Sequence, residues 1–299
     1  MGTPEIAAVS LAELNKCFEI TAVISQPDKP KGRNWESVMP TPVKAEALKS
    51  GIPVYQPAKI RDGEAERLLR ELAPDLIVLV AYGKILPEEI LNIPPLGCVN
   101  LHGSLLPEYR GAAPIERAVV NGEKITGVTT IFMSAGIDDG DMIYAEKIEI
   151  GENETGGELR ERLGIIGARL LVKTVGDVLN GTAKRIQQDH AAATYASIPE
   201  KSEGRIDAKK SSAQTHDLIR GFTPAPGAFC FVDGKRLKIL KTLNHPDMNG
   251  EPGIVSVEDR RLFLYCAEGA VELVRVLYEG KKETSGYEFY NGHKFSKID

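Results

Sequence analysis

Cysteine is scarce in this 299-residue chain: Cys17, Cys98, Cys230 and Cys266 stand far apart, with no CxxC pair and no Cys/His ligand spacing. That usage suggests neither a disulfide framework nor a zinc site, and no metal is expected. Aromatic residues make up only 6%, with Trp35 the single tryptophan. No run approaches the ~18 apolar residues of a membrane helix, and no basic start with an apolar core opens the sequence. The expectation is a cytoplasmic enzyme without a membrane partner. Positive charge is also lacking, since 37 Lys plus Arg face 42 Asp plus Glu for a net charge of −5. A general nucleic-acid packager is therefore disfavoured. Residues 196–299 are nearly balanced, 16 basic against 15 acidic, so a local phosphate-binding surface stays open there.

What the sequence does contain is alternation. Helical and strand patterns alternate to about residue 135, as in a βαβ series with a parallel sheet. Thr3-Pro4 and Thr41-Pro42 read as helix starts. Asp75 to Val80 is a continuous apolar run, expected of a strand covered on both faces. Leu159, Leu163, Ile166 and Leu170 form the core stripe of a long helix over 158–179. Five short β runs between 228 and 278 fit a small barrel. The fold expected is α/β: a doubly wound, Rossmann-like, mostly parallel sheet over 1–188, a linker at 189–200, and an OB-like β-barrel over 201–299.

The most informative stretch is Val99-Asn100-Leu101-His102-Gly103-Ser104-Leu105-Leu106-Pro107, followed by Arg110-Gly111-Ala112-Ala113-Pro114. Side chains two apart on a strand face the same way, so Asn100 and His102 point together at a strand end. Carboxyl ends of strands in open α/β sheets form ligand crevices. A strand cap is the plainer alternative. Gly136-Ile137-Asp138-Asp139-Gly140-Asp141 is either a solvated turn or a carboxylate-bearing loop; it lacks the 12-residue calcium pattern. Neighbouring strand ends would bring Asn100, His102 and Asp138 together. That set has no nucleophile and suits acyl transfer between two bound substrates. Asn100 and His102 would support an oxyanion, while Asp138 favours charge on His102 and takes the attacking amine's proton directly or through water.

The run from Asn100 to Pro107 with Asp138 resembles the signature of the 10-formyltetrahydrofolate-dependent formyltransferase family. Matching segments include Gln26 to Pro30, Met39 to Lys44, Ala81 to Gly83, Tyr109 to Ile115, Arg205 to Asp207 and Pro224 to Ala228, so the resemblance spans the chain. It implies transfer of the formyl group of 10-formyltetrahydrofolate to the α-amine of methionine on initiator tRNA, with Asn100, His102 and Asp138 catalytic. Ser104, Leu105, Leu106 and Pro107 would contact the folate, and Ala81, Tyr82, Gly83, Lys84, Ile85 and Leu86 would wall the pterin pocket. The long loop from Gln26 to Pro40 would enter the tRNA acceptor stem through Lys29, Lys31, Arg33 and Trp35. In the C-terminal part Lys209, Lys210, Arg220, Lys235, Arg236, Lys238, Lys281 and Lys282 are candidates for phosphate contacts. A monomer is expected. Rival readings are a formyltransferase for small amines and a non-catalytic RNA-binding protein of the same fold. Relatives carry a strand ahead of the Gly2-Thr3-Pro4 turn, near the sheet's centre. The expectation is a start lying upstream, and for the chain as given a gap in the sheet or a recruited segment.

Overall fold

The structure is a computed structural model describing residues 1–31 and 37–298. Two compact units share the chain: residues 1–112, 127–148 and 160–196 form the first, and 113–126, 149–159 and 197–299 the second.

In the first unit helix α1 (Glu5–Leu14) precedes β1 (Val23–Ile24), a hairpin of β2 (Lys29–Lys31) and β3 (Ser37–Met39), α2 (Pro42–Lys49) and β4 (Val54–Tyr55). Then come α3 (Glu64–Leu72), β5 (Ile77–Leu79), α4 (Glu88–Leu91), β6 (Cys98–His102) and β7 (Arg110–Gly111). Thr41 caps α2, its hydroxyl accepting from the Lys44 N–H with Pro42 in the first turn. Thr3 does not cap α1; Pro4 stands there, and the Thr3 hydroxyl donates to Tyr82 O at 3.2 Å.

After α5 (Pro114–Val120), strands β8 (Ile125–Phe132) and β9 (Met142–Glu149) complete a four-stranded sheet of order β5-β6-β8-β9. β5 and β6 run parallel, while β6 and β8 are antiparallel, so the sense changes beside the Asn100 strand. β6 is buried along its whole length, polar Asn100 and His102 included. Helix α6 (Gly156–Leu179) supplies buried Leu159, Leu163 and Leu171 and ends before Gly181, whose φ of +69° suits glycine.

β1 pairs with β4 in a two-stranded sheet apart from the main one. Met1 and Gly2 splice the two at one end. The terminal amine donates to Val78 O at 2.6 Å, Val80 N–H to Met1 O at 2.9 Å, and Gly2 N–H to Ile24 O at 3.0 Å. Beside this splice lies a cavity of about 460 Å³ lined by Leu11, Leu14, Val23, Leu72, Ile77 and Val175 among others. None of Asn100, His102 or Asp138 lines this cavity.

The expected linker is not free chain. It forms β10 (Tyr195–Ala196), which pairs in parallel with β7, Tyr195 opposite Arg110 and Ala196 opposite Gly111.

In the second unit α5 packs on α7 (Ser212–Gly221). Gly221 permits this approach: a Cβ there would lie 2.6 Å from Val120 Cγ2. The β-structure follows as β11 (Ala228–Val232), β12 (Lys235–His245), β13 (Val255–Glu258), β14 (Arg261–Tyr265), β15 (Ala270–Tyr278) and β16 (Thr284–Ser285), then α8 (Gly286–His293). The sheet order is β11-β12-β15-β14-β13, with β16 also on β15 and every pairing antiparallel. Leu237, Ile239, Leu264 and Leu273 lie in its core. Among the described residues no ladder joins β11 to β13, so the expected barrel is an open sheet here. Other segments occupy its outer edges: Ile206 N–H donates to Phe229 O at 2.8 Å, and Val255 N–H to Ser296 O at 2.9 Å.

Candidate active site

β6 carries Asn100 and His102 on one face, both below one-tenth exposed, with Val99 and Leu101 on the other. Because β8 is antiparallel, its end returns to the start of β6, where Met133 N–H donates to Cys98 O at 2.8 Å. Asp138 therefore does not come from an adjacent carboxyl strand end. Its loop folds back over β6, a path that needs Gly140, where a Cβ would sit 1.9 Å from Phe132 O.

Three carboxylates lie in this loop and only one reaches the pair. Asp139 accepts from the Ser134 hydroxyl, and Asp141 faces Arg185 Nη1 at 3.4 Å. Asp138, left-handed at φ +50°, accepts from Asn100 Nδ2 through Oδ1 at 3.3 Å and from Gly111 N–H through Oδ2 at 2.9 Å. His102 Nδ1 lies 3.5 Å from Oδ2.

The tautomer of neutral His102 follows from its other nitrogen. Tyr109 O, 2.9 Å from Nε2, can only accept, so Nε2 carries the hydrogen. Nδ1 then presents a lone pair towards Asp138, and a proton added there makes an imidazolium facing a carboxylate. Asn100 retains one N–H beyond the one given to Asp138. The cluster thus offers a free amide donor, a basic nitrogen and a carboxylate within one small volume.

The flanking loop is fixed by internal bonds. Thr129 Oγ1 donates to Ser104 O at 2.7 Å and accepts from Leu106 N–H at 3.2 Å, while the Ser104 hydroxyl donates to Glu108 O at 2.6 Å. Ser104 and Leu106 are buried; Leu105 and Pro107 are half-buried. In the 81–86 segment Ala81, Gly83 and Ile85 are exposed, while Tyr82 and Leu86 point into the core. Tyr82 is fully buried, its hydroxyl has no partner among the described residues, and burial raises its pKa. Its side chain is a core anchor rather than a pocket wall. Lys84 Nζ donates to Ala58 O at 2.7 Å and to Pro57 O at 3.4 Å.

Of the residues expected to meet tRNA, Arg33 and Trp35 lie outside the described residues. Lys29 and Lys31 both lie in β2, and Lys29 is exposed. Lys209, Lys210, Lys235, Lys281 and Lys282 are exposed, and Lys238 is half-buried. Arg236 is exposed with its guanidinium 4.2 Å from the Phe229 ring centroid. Arg220 is a correction: it is 3% exposed and holds Asp217 through Nε and Nη2 at 2.7 and 2.6 Å. Its Nη1 donates to Gly151 O and Glu154 O at 3.3 and 3.1 Å, so this guanidinium ties α7 to the 149–159 segment and has no face left for a phosphate.

Sequence reasoning passed over Gln188 and gave Arg110 no role. Both are buried, and the Gln188 amide reaches the Asp138 loop. A lone glutamine in a polar stretch carries no periodic signal that would reveal this.

A family model described as "Formyl transferase" matches residues 4–175, and one described as "Formyl transferase, C-terminal domain" matches residues 199–294. A "Methionyl-tRNA formyltransferase" of Acetivibrio thermocellus is 46% identical over 298 residues, covering 98% of this chain and 96% of that protein. One of Ruminiclostridium cellulolyticum is 44% identical over 299 residues, with coverage of 98% and 96%. Among solved structures, WlaRD, a sugar 3N-formyl transferase in the presence of dTDP and 5-N-formyl-THF, superposes with a TM-score of 0.70 at 21% identity, covering 94% of this chain and 97% of its own. An N-formyltransferase from Helicobacter canadensis, in complex with folinic acid and dTDP-3-aminofucose, gives 0.69 at 21% identity, with coverage of 91% and 96%.

Proposed function

The chain belongs to the formyl transferase family, and from that premise we propose that Asn100, His102 and Asp138 carry formyl transfer from a folate donor to methionyl-tRNA. The acceptor follows from full-length relatives at 43–46% identity that bear the name methionyl-tRNA formyltransferase. The sugar N-formyltransferases share the fold at 21% identity and do not define the acceptor. The product is N-formylmethionyl-tRNA for translation initiation, and 10-formyltetrahydrofolate is the donor.

The observation that carries the reading is the shared contact of Asn100 and His102 with the one carboxylate of Asp138. When the methionine amine attacks the formyl carbon, a C–N bond forms and the carbonyl oxygen takes negative charge. The remaining N–H of Asn100 donates to that oxygen. The amine becomes acidic as it bonds, and its proton passes to the Asp138–His102 pair, directly or through one water. A proton arriving on Nδ1 places an imidazolium beside the oxyanion and next to Asp138, so charge separation is small. Collapse expels the donor nitrogen, which takes up a proton and leaves as tetrahydrofolate.

The 81–86 and 104–107 segments suit the folate. Left-handed Ala81 (φ +47°) and Gly83 (φ +81°) turn the chain so that exposed positions alternate with the anchors Tyr82 and Leu86. That alternation presents main-chain donors and acceptors of the kind that read a pterin edge. Lys29, Lys209, Lys210, Lys281 and Lys282, all exposed, are the tRNA phosphate contacts on this reading, and Arg33 and Trp35 belong with them through the sequence.

The test supplies 10-formyltetrahydrofolate with methionyl-initiator tRNA, an aminoacylated elongator tRNA, or free amines including amino-sugar nucleotides. Formylation of the initiator species alone is expected. Transfer to a free amine and not to methionyl-tRNA would overturn the acceptor assignment.

A further inference from the structure

Gln188 uses all of its hydrogen-bonding capacity at one place. Its Nε2 donates to two carbonyls of the catalytic loop, Asp138 O at 2.8 Å and Gly140 O at 2.7 Å. Its Oε1 accepts from Arg110 Nε and Nη2 at 3.1 and 2.7 Å. With two donors and two acceptor sites on the amide, nothing remains unsatisfied. Gln188 is 5% exposed and Arg110 3%, so water does not compete for these bonds.

Arg110 fixes which way the amide points. A guanidinium only donates, so the carbonyl end of Gln188 must face it, which turns the NH₂ onto the loop. Arg110 is held in turn: Nη2 donates to His190 Nδ1 at 3.1 Å, and its own N–H donates to Thr194 O at 2.8 Å. The loop needs such a hold, because Asp138 is left-handed without being glycine, a conformation that persists only where the surroundings over-determine it. The next residue along from Arg110, Gly111, is the one whose N–H meets the Asp138 carboxylate.

We propose that Gln188, oriented by Arg110, is a positioning residue for Asp138, setting the carboxylate against Asn100 and His102. This rests on the catalytic reading of Asp138 given above. Two carbonyls held by one amide fix the backbone at Asp138 and Gly140, while the Asp138 carboxylate meets Asn100 and His102 on β6. Neither Gln188 nor Arg110 needs to touch a substrate for this.

Gln188→Glu is the informative change, since it preserves size and the pairing with Arg110 while replacing both loop donors by an acceptor. The expected result is a fall in kcat of tenfold or more, towards the ~10²-fold that a misplacement of about 1 Å incurs, with KM for folate donor and methionyl-tRNA within about twofold of the parent. Gln188→Leu, which also loses the Arg110 contact, should share the kcat loss and in addition lower the melting temperature. The decisive measurement is coupling. In an Asp138→Ala background, Gln188→Glu should cost almost nothing further, because its effect is exerted through the missing carboxylate. Additive losses in the double variant, or parental kcat in Gln188→Glu, would overturn the proposal. If Asp138→Ala itself keeps parental turnover, the catalytic reading fails instead, and the two failures are distinguishable.

Discussion

The N–H of Gly111 donates to Oδ2 of Asp138 at 2.9 Å, the same oxygen that faces His102 Nδ1 at 3.5 Å. One carboxylate oxygen is thus steadied by a backbone donor and shared with the imidazole, while Oδ1 receives Asn100. Gly111 can occupy that place because its φ is +112°, and because a Cβ there would come 2.9 Å from Ala196 O on β10. The segment expected to be a linker is therefore part of what sets the Asp138 loop.

Gly111→Ala should damage turnover more than folding. The strained φ and the approach to Ala196 cost about 1–3 kcal/mol, which relaxes by moving the N–H away from Asp138. Single-turnover formylation should slow by about tenfold or more while thermal unfolding shows a small loss; unchanged turnover would detach β10 from the site.

Asn100→Ala should lower the chemical step by 10²–10³-fold, about 2.7–4 kcal/mol, as for loss of one oxyanion donor. Asn100→Asp should be worse, because a second carboxylate would face Oδ1 of Asp138 in place of an N–H. Tight methionyl-tRNA binding, followed separately by filter retention, should persist in both. A rate loss accompanied by an equal loss of tRNA affinity would remove the amide from the chemistry.

Arg220→Ala and the pair Lys281→Ala, Lys282→Ala should behave in opposite ways. Breaking the buried Arg220–Asp217 pair should destabilise the fold by about 3–5 kcal/mol, seen in urea unfolding. The exposed lysines should leave stability unchanged, weaken tRNA binding, and reduce the steepness of its salt dependence. A stable Arg220→Ala protein with weak tRNA affinity would restore the arginine to the RNA surface.

How much of this was legible in the sequence depends on the length scale over which each signal acts. Asn100 and His102 announced themselves because period-two geometry is local, and the long helix showed in the spacing of Leu159 and Leu163. Arg220 looked like a free charge because, beyond Asp217 one helical turn away, the carbonyls that bury it, Gly151 O and Glu154 O, lie more than 60 residues away. The choice among Asp138, Asp139 and Asp141 came from the family pattern; the physical reason, a loop folding back over an antiparallel neighbour, needs the strand sense. Gln188 was invisible for the same cause, since an amide declares its role only when both its ends have partners.

Stability should fall as the pH drops from 8 to 6. Burial lowers the Met1 amine from 8.0 to about 6, so in that window the unfolded chain binds a proton that the folded chain does not. The sign follows directly: the state that takes up the proton gains, and by pH 6 folding has lost about 2–3 kcal/mol to this group. Urea unfolding at the two pH values measures it, and an Nα-acetylated chain, which does not titrate there, should lack this part of the slope.

The units are interleaved along the chain, since residues 113–126 and 149–159 belong with 197–299. Tyr195 and Ile198, at 69% and 71% exposure, flank the last crossing and offer a protease its point of entry. A nick there would not release two independent domains. The N-terminal fragment would retain α5, separated covalently from its packing partner α7, and the C-terminal fragment would retain α7 without α5. The N-terminal piece carries segments 113–126 and 149–159 of the second unit, so the C-terminal piece alone should fold poorly, and mixing the two should restore formylation.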